Sequence, residues 1–121
     1  MKENDVGVLL EEWIKEKKLK KLSDFDVKLL GYETRLSPDI LLKPKFAKKQ
    51  LMIVEVKGSN HNVEHTLGQL LLYHLVFKSV YVALPLQQSG KLKEIRSQIR
   101  RRMKGFDFGI MGVSANEVKF L

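Results

Sequence analysis

The apolar positions of this chain change period several times, and each change marks an element. Between residues 3 and 20, Val6, Leu9, Leu10, Trp13 and Ile14 recur at helical spacing with lysines on the other side, the pattern of an amphipathic helix. Phe25, Val27 and Leu29 then alternate with Asp26 and Lys28, the period of a half-buried strand. Beyond Gly31 a polar connection leads to Pro38. Asp39-Ile40-Leu41-Leu42 reads as the next strand, ended by Lys43-Pro44, because proline cannot donate to a sheet ladder. A basic turn through Lys45, Lys48 and Lys49 precedes residues 51 to 57, which are apolar on both faces until their end and so predict a central strand.

Gly58-Ser59-Asn60 breaks the pattern. Residues 62 to 77 predict a second helix, apolar nearly all round and therefore expected to be buried between layers. Val80 to Leu84 reads as a strand closed by Pro85. A third helix is expected from 91 to 104, with Leu92, Ile95, Ile99 and Met103 on one stripe. Residues 106 to 113 read as another strand, and 117 to 121 as a candidate edge strand. The main elements run αβββαβαβ. With 121 residues the chain is expected to form one α/β domain, a central mixed sheet flanked by helices.

Composition narrows the chemistry. No stretch is long and apolar enough to span a bilayer, and the charged N-terminal segment lacks a signal-peptide core, so a cytoplasmic location is expected. The absence of cysteine excludes disulfides, thiolate zinc sites and thiol nucleophiles. A net charge of +8 suits a polyanionic partner, since each lysine or arginine set against a phosphate releases counterions. The same charge can serve solubility alone.

Glu55 and Lys57 are two apart on a strand and so leave the same face. Charged groups ending a buried strand carry a desolvation cost that pairing or a bound cation must offset. Asp39 opens the neighbouring strand, and an antiparallel hairpin would bring it to Glu55. Converging carboxylates repel unless one is protonated or a cation lies between them, and hard oxygen donors suit Mg2+ or Mn2+. A simpler role for Asp39 is a turn residue after proline.

Pro38-Asp39 followed by Glu55-Val56-Lys57 resembles the signature of the PD-(D/E)xK nuclease superfamily, whose members share a restriction-endonuclease-like fold. Gln69 and Tyr73 are similar to the Q-x-x-x-Y motif of the RecB-like branch and share a helix face. Gly7 and Glu11 resemble the G-x-x-x-E of archaeal Holliday-junction resolvases. The resemblance implies that Asp39, Glu55 and the Val56 carbonyl hold Mg2+ or Mn2+. Lys57 would then position or deprotonate the attacking water, Gln69 would hold the lysine or a phosphate, and Tyr73 would support it. Glu11 would reach the metal, with Glu3 as its rival.

His61-Asn62-Val63-Glu64-His65 also matches the H-x-x-E-H pattern of zinc peptidases called inverzincins. A zinc site there needs a distant third ligand, and Glu94, the helical glutamate downstream, lies in a basic segment. These histidines are instead expected at the mouth of the nuclease site or in solvent. Lys91, Lys93, Arg96, Arg100, Arg101, Arg102 and Lys104 crowd the third helix. They form either a solvated face or, with Lys43, Lys45, Lys48 and Lys49, a surface for DNA phosphates. The expected function is Mg2+-dependent DNA hydrolysis by a RecB-like or resolvase-like enzyme, the latter as a homodimer. The alternative is a nuclease-fold protein that binds without cutting.

Overall fold

The computed structural model describes residues 1–16, 25–29, 39–44 and 51–121. Helix α1 spans Glu3–Lys15. The Asp5 carboxylate accepts the Lys2 backbone N–H at its start, satisfying one of the donors a helix leaves orphaned. Val6, Leu10 and Ile14, one helical stripe, are buried. The expectation of helix from 17 to 20 lies outside the described residues.

Strands β1 (Phe25–Leu29), β2 (Ile40–Pro44), β3 (Met52–Val56), β4 (Ser79–Pro85), β5 (Gly109–Val113) and β6 (Val118–Phe120) form one sheet in sequence order. The β1–β2, β2–β3 and β5–β6 pairs are antiparallel, whereas β3–β4 and β4–β5 are parallel. Parallel neighbours need a crossover. Helix α2 (Val63–His74) supplies the first, and a 3-10 turn (Leu86–Gln88) with helix α3 (Gly90–Arg102) the second. The mixed α/β sheet meets the expectation, and β6 stands as its edge strand. Every residue of β3 is buried, as a strand covered on both faces must be.

Alternation along the strands divides the core in two. Ile40, Leu42, Val54, Val56, Ala83 and Met111 pack with α1 on one face. Ile53, Val80, Val82, Leu84 and Ile110 pack on the other with Leu70 and Tyr73 of α2 and Leu92 of α3. Among the described residues no helix is long and apolar enough to cross a membrane.

Three local expectations need correction. Helix α2 is not enclosed: Thr66, Leu70 and Tyr73 are buried, but Leu71, Leu72, Leu75 and Val76 face outward. Among the described residues the sheet covers it along one stripe, so its apolar circumference exceeds its buried face. On α3 the buried positions are Leu92 and Arg96, four apart and hence on one face, while Met103 is half exposed beyond the helix end. The fifth strand begins at Gly109 rather than residue 106. Gly105, at φ +91°, turns the chain in a conformation suited to glycine, and Phe106 and Phe108 stack together to fill the core ahead of the strand.

The topology also gives the sheet two distinct ends. Strands β3, β4 and β5 run the same way, so Glu55, Ala83 and Val113 lie toward one end, joined there by Asp39 at the start of antiparallel β2. Helix α3 begins at that end, after Pro85, and runs back to the other.

Candidate active site

The β2–β3 ladder pairs Ile40 with Val54 and Leu41 with Ile53. One step further along the same register, Asp39 stands opposite Glu55, on the sheet face that Leu41 and Ile53 share. Both carboxylates are almost wholly buried, Asp39 1% and Glu55 2% exposed. The Val56 backbone N–H donates to Asp39 Oδ2 at 2.7 Å. Lys57 Nζ lies 3.6 Å from Glu55 Oε1, and the Lys57 backbone N–H donates to the Ala83 carbonyl, which extends the parallel ladder and fixes the lysine at the strand end.

A third carboxylate completes the cluster. Oxygen atoms of Glu3, Asp39 and Glu55 all lie within 4.8 Å of one another. Helix α1 packs on the opposite sheet face, but its first turn reaches over the strand end. The Ser59 N–H donates to the Met1 carbonyl at 2.9 Å, and Gly58 passes so close that an added Cβ would sit 2.6 Å from the Glu3 nitrogen. Glycine here permits the approach of two backbones. Glu11 is not part of the cluster. It pairs with Lys15 at 2.5 Å, and eight residues of helix, about 12 Å, separate it from Glu3. Of the two candidate glutamates, Glu3 is the one that lies beside Asp39 and Glu55.

Burial dominates the electrostatics. Desolvation raises the pKa of Asp39, and the neighbouring Glu3 charge raises it further, against the opposing pull of the Val56 N–H and Lys57. Desolvation and then the Asp39 charge raise Glu55 further still. Without a cation the pair therefore shares a proton. Burial, then the Glu55 charge, pushes the Tyr73 hydroxyl upward as well, so it stays a donor and hydrogen-bonds to Glu55. Even so, Glu55 Oε2 has no hydrogen-bond partner among the described residues, and neither does buried Gln69 Oε1, one turn before Tyr73. A buried carboxylate oxygen left unmatched is costly. Three converging carboxylates with such an orphan fit a hard divalent cation, Mg2+ or Mn2+, in donor type and charge.

Beside the cluster lies a cleft of about 430 Å³, walled by Lys2, Glu3, Lys57, Asn60, His61 and His65 among others. The histidine pair thus stands at the mouth of the site. Asn62 caps α2 through the His65 N–H, which accounts for part of that polar turn.

Those residues proposed for phosphate contact that are described lie elsewhere. Lys43 is exposed, but it is four residues along β2 from Asp39, about 13 Å toward the other end of the sheet. Lys45, Lys48 and Lys49 lie outside the described residues. Arg96 is only 7% exposed and cannot serve as a surface contact. Arg100 pairs with Asp107 at 3.0 Å. Arg101 and Arg102 are exposed in the last turn of α3, at the far end from the carboxylates. Sequence periodicity offered both Glu11 and Glu3 but could not separate them, because a helix pattern reports faces, not which turn overhangs a strand end. Gly58 was the available signal. No protein-family model, curated protein or solved structure matches this chain.

Proposed function

We propose that this chain is a metal-dependent nuclease that hydrolyses DNA phosphodiester bonds, built on a restriction-endonuclease-like fold of the PD-(D/E)xK kind. The observation that carries this reading is the meeting of buried Asp39 and Glu55 with half-buried Glu3, and Lys57 beside them. The protein pays for four charged groups at one strand end, and a phosphodiester with a divalent cation is a partner that uses all of them. Asp39, Glu55 and Glu3 would hold Mg2+ or Mn2+, with the Val56 carbonyl as a further oxygen donor. When bound, the cation supplies Lewis-acid polarisation of the phosphoryl oxygens. Lys57 offsets the charge that develops on the non-bridging oxygens. Tyr73 holds the Glu55 carboxyl in place, and the Gln69 amide, one turn away, is available to Lys57 or to a phosphate.

The test is cleavage of single-stranded, duplex, flapped and four-way-junction DNA with Mg2+ or Mn2+. Cutting should vanish in EDTA and be poor with Ca2+, whose looser coordination activates water badly. A well-folded protein that cuts none of these, and RNA no better, would remove the reading and leave a binding role in its place.

A further inference from the structure

His61 lines the cleft together with Glu3 and Lys57, and the reading above gives it no task. Its Nδ1 lies 2.9 Å from Thr66 Oγ1. Thr66 is fully buried, and its hydroxyl is also 3.0 Å from the Asn62 carbonyl, one turn back along α2. A hydroxyl has one proton to give. Both contacts are satisfied together only if Thr66 donates to Asn62 and accepts from His61, which puts the ring hydrogen on Nδ1. In the neutral ring, Nε2 is then a bare lone pair. Burial, and after it the Lys57 charge, lowers the His61 pKa, so the neutral ring predominates near neutral pH. The Lys57 amine is itself engaged with Glu55, 3.6 Å away.

We propose that His61 accepts the proton of the attacking water in phosphodiester hydrolysis, a role that rests on the nuclease reading above. A lone pair at Nε2 accepts from water but gains nothing from a phosphate oxygen, which carries no hydrogen. This makes His61 a base and not a phosphate anchor. In the step, a water O–H bond breaks as its oxygen bonds to phosphorus, and that proton moves to Nε2. The ester P–O bond breaks with its electron pair, the departing oxygen takes a proton from solvent, and His61 returns its own to solvent. Thr66 and Asn62 are positioning residues, which fix the ring and its tautomer.

His61→Ala should lower kcat about 10²- to 10⁴-fold at saturating DNA and Mg2+, the range for loss of a general base. KM and calorimetric Mg2+ binding should stay near wild type, and added imidazole should restore part of the rate. His61→Gln, which fills the space, should be equally slow without rescue. In the metal-free wild type, ring nitrogen chemical shifts should show Nδ1 protonated and Nε2 bare. Full activity in His61→Ala, a loss confined to KM, a loss that imidazole does not touch, or an Nε2–H tautomer would each overturn the assignment. Wild type that cuts while His61→Ala cuts equally well removes this inference alone. Wild type that cuts nothing removes the nuclease reading with it.

Discussion

At one end of the sheet two buried carboxylates, Asp39 and Glu55, meet a third, the half-buried Glu3. At the other, Arg100, Arg101 and Arg102 sit in solvent on the last turn of α3. The arginine end has a sufficient physical account without any ligand. Cations at a helix C-terminus are favoured by the macrodipole, and Arg100 with Asp107, each about half exposed, forms a surface pair worth at most about 1 kcal/mol. The carboxylate end is answered only in part: Lys57 and the Val56 N–H meet Glu55 and Asp39, but Glu55 Oε2 has no partner among the described residues, and burying an acid costs several kcal/mol. The comparison separates abundance of charge from cost of charge. Six basic residues on one helix draw the eye, yet the expensive groups are the acids, scattered singly through the chain.

If cost marks function, the largest effects belong to the acid end. Lys57→Ala should reduce cutting by roughly 10³-fold, the scale for losing one transition-state partner. Calorimetry should find Mg2+ affinity nearly intact, since the lysine is no ligand. Asp39→Asn should instead weaken Mg2+ binding by at least about 10- to 100-fold, because even partners outside a metal's ligand shell cost that much. Equal metal binding in both variants would break the division of labour between them. Each variant must first show a wild-type melting curve.

Glu3 and Glu11 sharpen the contrast within one helix. Glu3→Gln should cost about tenfold in Mg2+ affinity, the low end of the same range. Glu11→Gln should leave that affinity alone and lower stability by about 0.3–0.5 kcal/mol, the worth of an exposed helical pair. A metal response in Glu11→Gln but not in Glu3→Gln would reverse the assignment.

Next comes a pH effect. Asp39 and Glu55 have folded pKa values raised above their unfolded ones, so the native state binds protons more tightly than the unfolded chain. Their contribution to stability is present below the ordinary carboxylate range and lost as pH rises through the raised values. The metal-free melting temperature should therefore fall from pH 5 to pH 8, and saturating Mg2+ should recover more of it at the higher pH. Glu55→Gln should flatten the slope. A flat wild-type profile with the cluster intact would show that burial costs these acids little.

The smallest effect belongs to the arginine end. Arg100→Ala with Arg101→Ala should leave kcat unchanged at saturating DNA. If these side chains touch DNA, binding should weaken on every sequence and the salt dependence should lose about one ion per contact. An unaltered slope would leave α3 a solvated face, and a fall in kcat would contradict the separation of the two ends.

The elements were legible because each carries its own period. Alternation of Asp39, Leu41 and Lys43 against Ile40 and Leu42 fixed the face of Asp39, and the even spacing of Glu55 and Lys57 fixed theirs. The mixed sheet followed from hairpins on either side of two helical crossovers. What could not be read was how one element overhangs another. Glu3 looked like one of two equivalent helix acids, and only the docking of the first turn on Gly58 distinguishes them. Arg96 looked like part of a basic face, whereas it lies one turn from Leu92 and is buried with it. The outward leucines of α2 looked like core because composition counts apolar residues without saying how many layers arrive to cover them.

The close pass of the first turn over Gly58 has a further consequence for how the protein comes into being. The three carboxylates arrive from separate stretches of chain: the start of α1, the start of β2 and the end of β3. The ladder that holds Lys57 is completed only by Ala83 of β4, after the α2 crossover. Such non-local contacts form late, after their loop-closure entropy has been met. A partly synthesised or partly folded chain would carry every acid yet hold none of them together. The constellation exists only in the finished fold, so any chemistry proposed for it would begin only once the fold is complete.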